Sequence, residues 1–428
     1  MSVTMQLSGL PLRRRVINLF YGKLARASAW LFVGSLAGGI LGYMFQVLMG
    51  RMLSTQEYGL FSAVMALFAI FAAPLGTLMM LVSRKVSGYR ARQDNGSIIH
   101  FYYSINFRSA VVGVLLLGLC FFFVSEVQSY LKAQSAIPVY LLGAMLFLTF
   151  PLVINNAFLQ GLQGFVWLSA SGSLGVLLKI VFSVALVWLG YGLSGALGGT
   201  ILAALVGWAM TYGALYRPLA EGRARPFQTT HLSFRPALPV LMANAAFAAM
   251  TQFDMVLVNY YFPPHEASLY AAASILGKAV MYLPGGIVVA LFPMVAENHA
   301  RDEGSAHLLL QAVGLTALLC SVGAIFYYFV GEWIVSLLYG ESYKGAGEVL
   351  KFYGIAILPM ALIMVAEHFL IAKGRVLFAY LFTFAAPIQF VAIHFYHDSL
   401  LNIVAVMGAS GLLLVLVGYG MLWRSFRG

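Results

Sequence analysis

The sequence predicts an all-α polytopic membrane protein, with about 12 transmembrane helices in two six-helix lobes related by a pseudo-two-fold axis along the membrane normal. Three observations carry that expectation. Apolar types make up 61% of the 428 residues and charged types 9%, where a soluble chain carries roughly 25% charged residues. Apolar stretches of about 20 residues, the length that crosses a bilayer core, recur along the whole chain. One stretch also has a second copy, offset by 209 residues.

The spans are read at 28–50, 58–83, 104–125, 138–159, 166–189 and 192–216, then at 237–261, 267–296, 306–330, 348–371, 376–396 and 400–423. The first carries "GSLAGGILG", whose Gly34, Gly38 and Gly42 offer a smooth face for close helix packing. Prolines interrupt the second, fourth, eighth and tenth spans at Pro74, Pro151, Pro284 and Pro359. Proline removes an intrahelical hydrogen bond and bends the helix, so these four are candidate hinges. Cys120 and Cys320 lie inside spans with no CxxC or histidine partner and read as inert core thiols. No cofactor or metal is implied.

Residues 1–27 precede the first span. In "LRRRVINLFYGKLARASAW" apolar residues recur at near-helical spacing beside basic ones, the pattern of an amphipathic segment on a membrane surface. No short apolar core with a small-residue cleavage site precedes it, so the first span is read as its own uncleaved insertion signal. Lysine and arginine set the orientation, because their excess stays cytoplasmic. The N-terminal cluster (Arg13, Arg14, Arg15, Lys23, Arg26), the "SRKVSGYRARQ" loop and the 217–236 loop share one side with Arg424 and Arg427. Both termini are therefore expected in the cytoplasm. The lobes are bounded as 28–216 and 237–423, joined by the basic cytoplasmic linker 217–236 and followed by a short tail, 424–428. This asymmetry accounts for the net charge of +11 and leaves no reason to invoke nucleic acid.

In the repeat, "VLMGRMLSTQEYGLFSAVMAL" from Val47 faces "VLVNYYFPPHEASLYAAASIL" from Val256, pairing Val47 with Val256, Glu57 with Glu266 and Leu67 with Leu276. Six spans precede the second copy. An even number gives the halves one orientation, as in parallel transporter repeats.

"GRMLSTQEYGLFSAV" and "QFDMVLVNYYFPPHEASLYAAASILGKAVMYLPGGIVVALFPMVAE" resemble the polysaccharide (O-antigen type) flippases of the multidrug/oligosaccharidyl-lipid/polysaccharide exporter superfamily. The resemblance extends over all twelve spans. It implies two lobes that rock around a central cavity and move a lipid-linked oligosaccharide on an undecaprenyl pyrophosphate carrier across a bacterial inner membrane by alternating access. It also implies glycosyltransferases and a polysaccharide polymerase as neighbours, and we expect a monomer among membrane lipids. Such a substrate has an anionic diphosphate, a polar glycan and a lipid tail that can stay in the bilayer.

Two lysines answer to that anion. Lys278 is eleven residues from Ala267 and Lys179 twelve from Trp167, which places both about 16–18 Å into their helices, near the midplane of a core roughly 30 Å thick. A midplane ammonium costs about 3 kcal/mol or more and is expected to face a partner or a wet cavity. Asp254, on the seventh span, is close enough in depth to pair with Lys278 as structural glue; the other reading makes it a coupling site for a proton or Na⁺. Under the repeat these charges face Phe45, Ala69 and Ile388, so the fold itself does not demand them. Weaker signals are Arg84 and Lys85, which either attract a headgroup or only obey the positive-inside rule, and Arg51 at the outer mouth. Glu367 with His368, about a turn from the cytoplasmic end, reads as an interfacial pair or a proton site.

Other functions lack their residues. No GxxxxGK[ST] loop is present, which argues against nucleotide hydrolysis by a P-loop. A membrane polymerase would need catalytic residues in sizeable outer loops, and the longest is about 17 residues. A cation-coupled drug exporter needs membrane-embedded carboxylates in the first lobe, where Glu57 and Glu126 lie in loops. A lipid II flippase usually has two further spans. The chain is therefore not expected to be an enzyme.

Overall fold

The computed structural model describes residues 23–220, 237–285, 306–372 and 377–427. Among them no strand occurs, and the helices follow the expected order. The first lobe runs Lys23–Met52; Thr55–Ala72 continued by Pro74–Ala91; Asn95–Phe122; Ile137–Gly161; Phe165–Leu186; and Gly192–Ala220. The second runs Leu238–Tyr261; Pro264–Tyr282; Ala306–Tyr339; Ala346–Ala356 continued by Leu358–Ala372; Leu377–Phe395; and Leu400–Arg427. The segment 1–22 and residues 221–236 of the linker lie outside the described residues, as do 286–305, which hold the end of the predicted eighth span.

The offset of 209 residues reappears in the helix ends. Met52 and Tyr261 close the first and seventh spans, and Thr55 and Pro264 open the second and eighth. Glu57 and Glu266 each fall in the first turn, where a carboxylate complements the exposed N–H groups. Glu57 completes a capping box with Ser54 and also accepts from the Leu193 N–H at 3.0 Å, tying the second span to the start of the sixth.

Two predicted bounds were too short for one reason: each helix continues where one of its faces packs on protein. The third span begins at Asn95 rather than 104, capped by Asp94, and its extra turns bury Ile98, Phe101 and Tyr102 against Val86, Ile154 and Phe158. The ninth runs on to Tyr339, which is buried at the lobe boundary. Between fifth and sixth spans the chain reverses through Val187–Tyr191, where Gly190 and Gly192 take φ of 92° and 49°, a region open to a residue without Cβ.

The proline sites differ in kind. Pro74 opens a new helix after Ala73 and Pro359 is the second residue of one, positions where the missing N–H costs little. Pro151 lies inside a continuous helix. Pro284 follows the end of the helix at Tyr282 and is buried.

The lobes meet where the second span packs on the seventh and eighth, and the first on the eighth and ninth. At the end opposite the termini, here the far end, they are fastened together. Arg51 donates from Nε to the Leu338 carbonyl at 2.6 Å and from a second nitrogen to that of Leu337, a cation against the last carbonyls of a helix. Beneath it Tyr58, Tyr339 and Tyr343 form a buried ring cluster, with the Tyr58 and Tyr339 hydroxyls 3.2 Å apart. Gly50 gives the Tyr339 ring its room, since a Cβ there would collide with it. Asn259 donates to the Leu131 carbonyl at 2.7 Å and Lys132 to that of Phe262 at 3.3 Å. Replacing Arg51 with glutamine is expected to loosen this seal. A cysteine placed at Tyr343 should then react at least threefold faster with a soluble maleimide than in the Arg51 protein.

Away from that seal the first and eighth spans part. Gly38, Gly39 and Gly42 have no atom in front of the place a Cβ would take. The expectation that Gly38 and Gly42 form a helix-packing face is therefore corrected, since absent side chains here widen a cavity. Gly34 lies outside the residues whose side chains are described.

Candidate functional site

That cavity holds about 500 Å³ between the lobes, lined by the first and second spans on one side and the seventh and eighth on the other. Its walls are mainly apolar and small. Polar groups come from Tyr43, Gln46 and Ser62 in the first lobe and Gln252, Ser274, Lys278 and Tyr282 in the second. Gln46 Oε1 is buried and has no hydrogen-bond partner among the described residues. No carboxylate lines the cavity, and Lys278 is its one cation among the described residues.

Lys278 stands in the wall with 8% of its side chain exposed. Nζ lies 3.4 Å from Asp254 Oδ1 and donates to Gln252 Oε1 at 3.2 Å. An ammonium has three donors, so one remains for the cavity. Asp254 is fully buried. Its Oδ2 accepts from the hydroxyls of Tyr270 at 2.9 Å and Tyr353 at 3.0 Å. Gly277, next to Lys278, leaves the space the Tyr353 ring occupies. The expected contact between Lys278 and Asp254 is present in this geometry, and the two tyrosines that complete it were missed. Tyr270 is about two turns before Lys278 on the same helix and Tyr353 is 99 residues from Asp254 in sequence; no local signal marks either among 23 tyrosines.

The other candidates are scattered. Lys179 does not line this cavity: Nζ lies 4.0 Å from the centroid of the Phe45 ring, a cation on an aromatic face, with the first span between it and the cavity. Arg51 belongs to the far-end seal. Arg84 is exposed, and Lys85 lies over the Phe101 ring at 5.1 Å. Glu367 is only 3% exposed, and Oε1 finds no partner among the described residues. His368 bonds to its own helix through the Met364 carbonyl at 2.8 Å. The interfacial pair read from sequence is therefore not formed: adjacent residues on a helix point about 100° apart, and Glu367 faces inward. Among the described residues no cluster suits a metal ion.

Two repeat-related lobes of helices around an interlobe cavity, with eight helices among the described residues long and apolar enough to cross a membrane, define a multi-pass membrane protein with a transporter fold. The chain belongs to the family described as polysaccharide biosynthesis protein, whose model matches residues 24–299. Its fold is similar to that of a multidrug resistance MATE family transporter of the MOP superfamily in an inward-facing conformation, with TM-score 0.76 and 15% identity over 91% of this chain and 94% of that one. It is also similar to the lipid II flippase MurJ in an inward closed conformation, with TM-score 0.72 and 14% identity over 92% and 87% of the two chains. A MOP superfamily transporter from Pyrococcus furiosus, described as having a binding pocket of reverse polarity, follows at TM-score 0.60 and 17% identity over 96% and 97%. No curated protein sequence matches the chain.

Proposed function

We propose that this protein is a flippase that carries a lipid-linked, undecaprenyl-pyrophosphate type oligosaccharide from the cytoplasmic to the outer leaflet for surface or exopolysaccharide synthesis. The observation that carries the reading is Lys278, with a donor left for the interlobe cavity and no carboxylate among the described lining residues. An anionic diphosphate meets its counter-charge there, the glycan finds volume and amide groups, and the gap between the first and eighth spans leaves the lipid tail a way to the bilayer. A cationic drug would meet a like charge instead, which disfavours the multidrug reading suggested by the MATE likeness. Lys179 is a second station for the anion, reached when the first span turns and Phe45 moves. Arg84 and Lys85 draw the headgroup to the entrance, and Arg51 opens when the substrate leaves at the far end. Pro74, Pro151, Pro284 and Pro359 serve as hinges. Glu367 is the reserve site for a coupling proton. Glycosyltransferases supply the substrate and a polymerase consumes it, with the flippase working as a monomer in the inner membrane.

The test is reconstitution. Proteoliposomes should move an undecaprenyl-diphosphate oligosaccharide to the leaflet where a soluble glycosidase or lectin reaches it, and should leave lipid II and an ethidium-type cation untransported. Transport of the cation without the oligosaccharide would sink the reading.

Orientation is tested separately. Single cysteines at Gln228 and Asp398, treated with an impermeant thiol reagent in intact cells, should label only at 398. Labelling at 228 would reverse the topology and with it the direction of transport.

A further inference from the structure

The Asp254 carboxylate is divided between two kinds of partner. Oδ1 faces the Lys278 ammonium at a long 3.4 Å, while Oδ2 takes both tyrosine hydroxyls. Tyr270 is also 3.2 Å from Met407 Sδ, but its single proton favours the charged acceptor over a thioether. The tyrosine rings are fully buried and meet edge to face at 5.8 Å, so neither hydroxyl swings away. The lysine differs: it alone of the four reaches the cavity.

We infer that Tyr270 and Tyr353 are positioning residues, which hold the charge of Asp254 so that Lys278 can exchange it for an anionic headgroup in the cavity. The inference rests on the proposed diphosphate substrate and extends it to residues that never touch the ligand. A carboxylate dependent on Lys278 alone would keep the ammonium, because a buried charge left without partners costs far more than the pair gains. Two hydroxyl donors remove that obstacle. When Nζ turns to the ligand, Asp254 keeps two charge-assisted hydrogen bonds. Removing either hydroxyl penalises the ligand-bound state more than the empty one, where Lys278 still serves the carboxylate. Gly277 belongs to the same device, since any side chain there would push the Tyr353 ring from its place.

The experiment compares farnesyl diphosphate with uncharged farnesol as probes of the purified full-length protein in detergent. Tyr270→Phe and Tyr353→Phe should each bind farnesyl diphosphate about tenfold more weakly, the loss of roughly one hydrogen bond to a charge, with farnesol affinity unchanged. Equal weakening for both probes would mean a merely structural role and would overturn the inference. So would parental diphosphate affinity in both variants while Lys278→Ala loses it. If Lys278→Ala itself binds the diphosphate normally, the diphosphate seat is wrong and the positioning role falls with it. The variants are independent, so one that fails to fold leaves the other to decide.

Discussion

Lys278→Ala is expected to lose at least tenfold of oligosaccharide translocation in proteoliposomes while keeping its fold, and Lys278→Arg to recover part of it. In a wall whose other described residues are uncharged, a direct bond between an ammonium and a phosphate oxygen contributes about 1.5–3 kcal/mol, which is roughly 10- to 100-fold in binding. Arginine preserves the charge but spreads it over a planar fork that does not match the Asp254 and Gln252 acceptors, so recovery is incomplete. Lys179→Ala provides the contrast. Its ammonium lies behind the first span against Phe45, so its loss should lower the turnover rate more than the affinity for the substrate. Normal transport by Lys278→Ala would remove the diphosphate seat, and an equal affinity loss in Lys179→Ala would show that the two lysines meet in one site.

What the sequence made legible follows from what a bilayer demands of local sequence. The all-helical membrane class and the parallel repeat come from runs of residues, and the 209-residue offset recovers the helix ends on both sides of the first hairpin of each lobe. The contact between Lys278 and Asp254 was readable because neighbouring helices bring two rare charges to similar depths. Rotation about a helix axis was not readable, since apolar residues surround these helices on every side. That left Lys179 indistinguishable from a cavity residue, Glu367 from an interfacial one, and Gly38 and Gly42 from a packing face. Tyr353 was hidden for another reason: its partner Asp254 is joined to it only by the fold, with two spans between them in the chain.

Asp254→Asn is expected to destabilise the protein by about 3–5 kcal/mol, the cost of removing one member of a buried ion pair, and Lys278→Met in the same molecule is expected to restore most of it. The asparagine keeps an acceptor for Tyr270 and Tyr353, so the hydroxyls stay satisfied, and the loss falls on the ammonium, left with Gln252 and the cavity. Methionine fills much the same volume without charge, and its pairing with asparagine leaves no buried ion. Such coupling is what a double-mutant cycle reads: the melting temperature of the purified protein should fall in the single variant and return in the double one. Transport separates stability from function. The double variant, though stable, should stay inactive, because the cation that meets the diphosphate is gone. If Asp254→Asn melts with the parent, the carboxylate is not what holds Lys278. If the double variant melts as low as the single one, Asp254 acts through the tyrosines, whose hydroxyls bond a carboxylate more strongly than an amide oxygen, rather than through the pair.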